Sequence, residues 1–140
     1  MSRKLLCWLI PVVAVLSLGM GDFGPSESIP PWPARNFTGT VTDRTLVSLP
    51  VTNINCEGKT AIKAHLGEMQ ISLPFDNIAE IEFAPGTADK VWGQVKMRNG
   101  TSEKMRFHGT TRCYAKSDLG PVTVKIQNLK NIRLNAPPPP

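Results

Sequence analysis

From residue 69 onward, apolar residues fall at every second position in several separate runs. Met69, Ile71, Leu73 and Phe75 alternate with Gln70, Ser72 and Pro74, and Val122, Val124 and Ile126 alternate with Thr123, Lys125 and Gln127. A period of two turns one face of a β-strand toward a core. After Asn77 and Asn128 comes a short break, and then Ile81/Phe83 and Ile132/Leu134 alternate with Glu80/Glu82 and Asn131/Arg133 as a second, shorter strand. Further upstream Val91, Gly93, Val95 and Met97 alternate with Trp92, Gln94, Lys96 and Arg98. The dipeptide Asn99-Gly100 follows, and Met105 and Phe107 alternate with Lys104, Arg106 and His108 on the return. Asn-Gly between two such runs predicts a hairpin with a two-residue type I′ turn. The segment 37–56 is rich in Thr and Val and strand-like, but its alternation is less regular. No window carries a 3.6-residue apolar period, so the chain reads as all-β.

The runs are related to one another. With Gly58 placed on Gly109, an ungapped offset of 51 residues sets Thr60 on Thr111, Ala64 on Ala115 and Asn77 on Asn128. The apolar beats follow: Ile71 on Val122, Leu73 on Val124, Phe75 on Ile126, Ile78 on Leu129, Ile81 on Ile132 and Phe83 on Leu134. Matched apolar positions with the same irregular spacing indicate an internal duplication. Copies at 36–84 and 90–134 would each hold about five short strands, near the size at which a lone core is marginal. Two architectures fit, a sandwich or a pair of small barrels. A core shared by the copies is the preferred form. Its expected members are Ile71, Leu73, Phe75, Ile81 and Phe83 with Val122, Val124, Ile126, Ile132 and Leu134.

The strand order and the glycine–strand–break–strand ending resemble small SH3-like and Sm-like barrels. Gly58, Ile71, Leu73, Asn77, Ile78, Ile81 and Phe83, with their partners in the second copy, also resemble uncharacterised exported bacterial β-repeat proteins. The resemblance implies an architecture for most of the mature chain and carries no chemical motif, hence no function.

The N-terminus changes the picture of where the chain works. Arg3 and Lys4 precede an apolar run from Leu5 to Leu18 that is interrupted by Pro11 and Ser17, and Ser17, Gly19 and Gly21 are small. This is the three-part form of a cleaved export signal, read as 1–21. The run is shorter than the ~20 apolar residues of a membrane span. A periplasmic or secreted location is expected, with membrane contact during export alone. Residues 22–35 read as a Pro-rich linker, 36–135 as the duplicated β domain and 136–140 as a Pro tail. Cleavage removes Cys7 and leaves Cys56 and Cys113, an even count in an oxidising compartment, which predicts a disulfide.

Candidate chemistry is sparse. His65 and His108 are the only histidines, and neither has a neighbour at ligand spacing, so no metal site and no cofactor are expected. Nucleophile-elbow, Walker and Rossmann patterns are absent. Glu80 and Glu82, with Asp76 nearby, are explained by a solvated strand edge. Asn36-Phe37-Thr38 and Asn99-Gly100-Thr101 match the glycosylation sequon, a weak three-residue pattern.

Charge is the remaining signal. Ten basic against two acidic residues lie between Lys90 and Arg133, and four basic against seven acidic between Arg35 and Asp89. Strand alternation sets Trp92, Lys96, Arg98, Lys104 and Arg106 on one hairpin face, an aromatic among cations, which suits a polyanion or a glycan. Solvated edge lysines, or a basic copy complementing an acidic one, explain the same residues without a ligand. The expectation is a non-catalytic exported binding or assembly module contacting an anionic envelope polymer or an envelope protein. The alternative is a small exported hydrolase-type enzyme.

Overall fold

The computed structural model describes residues 29–140. The segment 1–21, expected to be an export signal, and the first part of the expected linker lie outside the described residues. Ten strands follow in order: β1 (Gly39–Asp43), β2 (Ser48–Cys56), β3 (Ala61–Leu66), β4 (Met69–Pro74), β5 (Ile78–Phe83), β6 (Val91–Met97), β7 (Ser102–Phe107), β8 (Arg112–Ser117), β9 (Gly120–Lys125) and β10 (Leu129–Leu134). They form one curled antiparallel sheet in the order β4-β3-β7-β6-β5-β10-β1-β2-β8-β9.

That order is symmetric. Replacing β1–β5 by β6–β10, and the reverse, reproduces the same list read backward, so the two copies are related by a pseudo-twofold axis. The axis passes through the β5–β10 ladder, where Ile81 lies opposite Ile132. Yet the five-strand groups on either side of it are not the two sequence copies. β3, β4 and β5 of the first copy enclose the β6–β7 hairpin of the second, while β8, β9 and β10 enclose the β1–β2 hairpin of the first. The copies have exchanged their leading hairpins. Consecutive in sequence does not mean contiguous in space here.

The exchange explains the irregular stretch before Cys56. In the hairpins the correct offset is 54, with Gly39 on Gly93 and Val41 on Val95, as shown by the pairings Val41–Ile132 and Val95–Ile81. The surplus of three residues over the offset of 51 is absorbed in β2, whose register shifts between Thr52 and Asn55. There Asn53 takes a positive φ of 51° and the buried Asn55 fixes the bulge. Its Nδ2 donates to the Asn53 carbonyl and its Oδ1 accepts from the Gly58 N–H. A bulge of this kind re-aims the strand end, which breaks the two-residue alternation.

Gly58 and Gly109, the identity that anchors the repeat, persist for different physical reasons. Gly58 has a φ of +82°, whereas a Cβ on Gly109 would lie 2.1 Å from the Thr87 carbonyl oxygen.

The expected core is present with its register intact. Leu73, Phe75, Ile81, Phe83, Ile126, Ile132 and Leu134 are buried in one cluster, and Ile71, Val122 and Val124 are half-buried against it. Phe37, Ile54, Ile62, Val91, Val95 and Phe107 join the same cluster, so the two copies share one core. One boundary differs: β4 ends at Pro74 and β9 at Lys125, and Phe75 and Ile126 each open a 3-10 turn. Both still point inward because the turn continues from a strand end without reversing the buried face. At the β6–β7 hairpin the loop is Arg98-Asn99-Gly100 rather than two residues. The Gly100 N–H donates to the Met97 carbonyl, and Gly100 alone of the three has a positive φ, 95°. A three-residue loop with glycine in the left-handed region relieves Asn99 of the left-handed conformation a type I′ turn would impose.

Cys56 and Cys113 form a disulfide. They sit directly opposite each other on β2 and β8, with Cα atoms 3.9 Å apart, and so tie the exchanged hairpin of the first copy to the body of the second.

Candidate binding face

The outward side of the β6–β7 hairpin is built by alternation. Val91, Gly93 and Val95 face the core, which turns Trp92, Gln94 and Lys96 outward, and the pairing Trp92–Arg106 and Gln94–Lys104 adds the cations of β7. Trp92 is 39% exposed. The Lys104 Nζ stands 5.0 Å and the Lys90 Nζ 5.8 Å from its ring centroid. Both lie within the range of cation–π attraction. Beside the ring is a shallow hollow of about 210 Å³ lined by Glu82, Phe83, Ala84, Gln94 and Lys104.

Two of the five expected residues are engaged elsewhere. The Lys96 Nζ is 3.6 Å from Glu80. The Arg98 Nε donates to the Asp76 carbonyl (3.0 Å) and its guanidinium also donates to the Asn135 carbonyl (2.6 Å), so Arg98 clamps the end of the sheet. Trp92, Lys104 and Arg106 remain as the open part of the face, and Lys90, two residues before Trp92 and just ahead of β6, joins them.

Of the acidic residues, Glu82 is exposed as expected, but its strand is not an edge, and Glu80 and Asp76 are held by partners. β5 is a central strand flanked by β6 and β10. The Glu80 side chain is 18% exposed, accepts from the Asn131 amide, and lies 3.6 Å from Arg133. The Asn131 hydrogen bond, helped by the Lys96 and Arg133 charges, holds its carboxyl below the ordinary glutamate value despite partial burial. Asp76 is held by a two-oxygen contact from Arg35 at 2.7 and 2.8 Å. The contrast between a basic and an acidic copy is therefore not a contrast between two halves of the fold. Hairpin exchange brings the basic β6–β7 beside the acidic β5.

Arg35 belongs to the Pro-rich segment, and that segment touches the domain at further points. Lys116 lies over the Trp32 ring at 5.0 Å, and Pro30 packs beside Gly58. Arg35 also donates to the Pro138 carbonyl of the tail.

The histidines, unconnected in sequence, are brought together. The β3–β7 pairing sets His65 opposite Arg106, and the His65 and His108 rings meet edge to face at 5.4 Å. Among the described residues no group of three or more His, Cys, Asp and Glu side chains is placed to hold a metal ion.

The fold and the duplicated core define an all-β protein with an internal repeat and a cross-copy disulfide. A family model described as "Uncharacterised protein" matches residues 33–136, and the chain belongs to that family. No curated protein matches the chain.

Proposed function

We propose that this protein is a non-catalytic, exported binding module whose β6–β7 face contacts an anionic polymer of the cell envelope. The observation that carries the reading is Trp92, exposed and flanked by Lys90 and Lys104, with Arg106 opposite it in the ladder. An aromatic ring offers an apolar face to a sugar or a base, and cations around it attract the acidic groups of the same chain. Export is supported by the charged, apolar and small-residue order of the first 21 residues and by the disulfide, which persists in oxidising compartments. Within this reading each five-strand group is a small SH3-like barrel completed by the other copy's hairpin.

The reading of a small exported hydrolase has less support. Asp43 is the one carboxylate near the polar cleft at the β1–β2 turn, and its Oδ1 already accepts from the Thr45 and Val47 N–H groups. The hydrogen bonds from Thr45 and Val47 keep its pKa low, the opposite of a poised general acid. The test is a panel of acidic polysaccharide, lipopolysaccharide and nucleic acid titrated at low and at moderate salt. Binding to at least one polyanion at low salt that weakens with Trp92→Ala is expected. Absence of binding to all of them at low salt would overturn the proposal.

A further inference from the structure

The registers of β5, β6 and β7 set six outward positions in two rows. Glu82 lies opposite Gln94, which lies opposite Lys104. In the adjoining row the Ala84 N–H donates to the Trp92 carbonyl, and Trp92 lies opposite Arg106. Ala84 is the small member, and it lines the hollow of about 210 Å³ together with Trp92, Gln94, Glu82 and Lys104. Glu82 and Lys104 stand two strand spacings apart, ~10 Å, so the hollow has a carboxylate on one flank and cations on the other.

The pseudo-twofold axis shows what the fold itself asks of these positions. The offsets of 54 in the hairpins and 51 in the end strands set Trp92 on Thr38, Lys104 on Pro50, Arg106 on Thr52 and Glu82 on Arg133. On that side the Asn135 amide donates to the Thr38 hydroxyl, and Arg133 lies 3.6 Å from Glu80. The same strand arrangement therefore forms with threonines and a proline in place of the aromatic ring and its cations. Glu82 differs from Glu80 in the same way. Glu80 is engaged by Asn131, Lys96 and Arg133, whereas Glu82 is exposed and joins no ion pair among the described residues.

We infer that the hollow is a subsite for one sugar ring, and that Glu82 makes the face select an acidic glycan over a nucleic acid. The inference rests on the reading of this face as a polyanion-binding surface and names the class of polymer. A uronic acid residue is two-sided, with a carboxylate on one edge of the ring and neighbouring hydroxyls on the other. Its apolar face covers Trp92, and its carboxylate lies toward Lys104 and Arg106. Its hydroxyls donate to the Glu82 carboxylate, which can accept alone, and meet the Gln94 amide, which both donates and accepts. A nucleotide stacked on the same ring has a phosphate on each flank of its base, so one is held toward Glu82 and repelled.

Calorimetric titration of the protein at low salt with an oligogalacturonate and with mixed-sequence single-stranded DNA tests this. The wild type should bind the oligogalacturonate more tightly than the DNA. Removal of a negative charge raises the affinity for every polyanion unless the carboxylate touches the ligand, so the sign of the Glu82 variants is decisive. Glu82→Ala should weaken oligogalacturonate binding about tenfold, the loss expected of a hydrogen bond to a charged group, and strengthen DNA binding roughly threefold. Glu82→Gln, which keeps the size of the side chain, should act in the same directions by less. The inference is overturned if the wild type binds DNA as tightly as the oligogalacturonate, or if oligogalacturonate affinity does not fall in Glu82→Ala. Absence of binding to either ligand would instead overturn the polyanion reading of the face, and this inference with it.

Discussion

Ile81 and Ile132, the same position in the two copies, face each other across the β5–β10 ladder and mark the axis on which the molecule is built. On either side Glu80 pairs with Arg133 and Glu82 with Asn131, so the seam is apolar at the axis and polar beside it. Because each copy's leading hairpin is packed within the other copy's strands, neither copy owns a complete sheet. The two are expected to unfold together.

Equivalent core positions should therefore fail alike. Phe75 is buried and meets Phe37 edge to face at 5.5 Å. Phe75→Ala should cost ~3–5 kcal/mol, and Ile126→Ala at the matching position ~2–5 kcal/mol, each in a single transition. Ser72→Ala and Lys125→Ala, on the outward face, should cost little. Urea denaturation followed by fluorescence and by circular dichroism checks this; two separated transitions would show that the copies fold independently.

Leu46 stands where the second copy has Gly100. Both close the turn after the first strand of their hairpin, and both have positive φ, 69° and 95°. Leu46 is 67% exposed, so little packing offsets the left-handed conformation, which costs a non-glycine residue about 1–2 kcal/mol. Leu46→Gly should be neutral or stabilising by up to ~1 kcal/mol, while Gly100→Leu should destabilise by ~1–2 kcal/mol. Thermal melting of the two variants checks this: the Gly100→Leu variant should melt below the wild type and the Leu46→Gly variant should not.

The disulfide spans 57 residues and joins β2 to β8. Chain entropy assigns a loop of this length ~4 kcal/mol. The double variant Cys56→Ala/Cys113→Ala should lose up to that amount, and alkylation of the unreduced protein should modify neither thiol.

Glu80 couples stability to pH. Its folded pKa is depressed by Asn131, Lys96 and Arg133, so the stabilisation is present above the ordinary value of 4.5 and is lost as pH falls through the lower folded pKa. Glu80→Gln should flatten the acid limb of a stability–pH curve below about pH 4.5, measured by denaturation at a series of pH values.

The duplication and the core were legible because period-two alternation depends on local chain geometry alone. Leu73, Phe75, Ile81 and Phe83 declare their inward direction wherever their strand docks. The hairpin exchange was not legible, since Val95 packs with the same apolar residues whether it pairs with its own copy or the other. The bulge at Asn53 to Asn55 concealed the repeat in β1 and β2, because an ungapped comparison loses the hairpins once three residues are added. Trp92, Lys104 and Arg106 were found from alternation, but the fates of Lys96 and Arg98 depended on neighbours from the first copy.

Binding of an acidic polysaccharide as a function of salt tests the functional reading most directly. If cations of the β6–β7 face displace counterions, log K falls linearly with log salt, and Lys104→Ser/Arg106→Ser should reduce the slope by roughly 1 for each cation removed. Trp92→Ala should weaken binding with the slope unchanged, because stacking releases no counterion. A slope that is the same for wild type and for Lys104→Ser/Arg106→Ser would contradict the account.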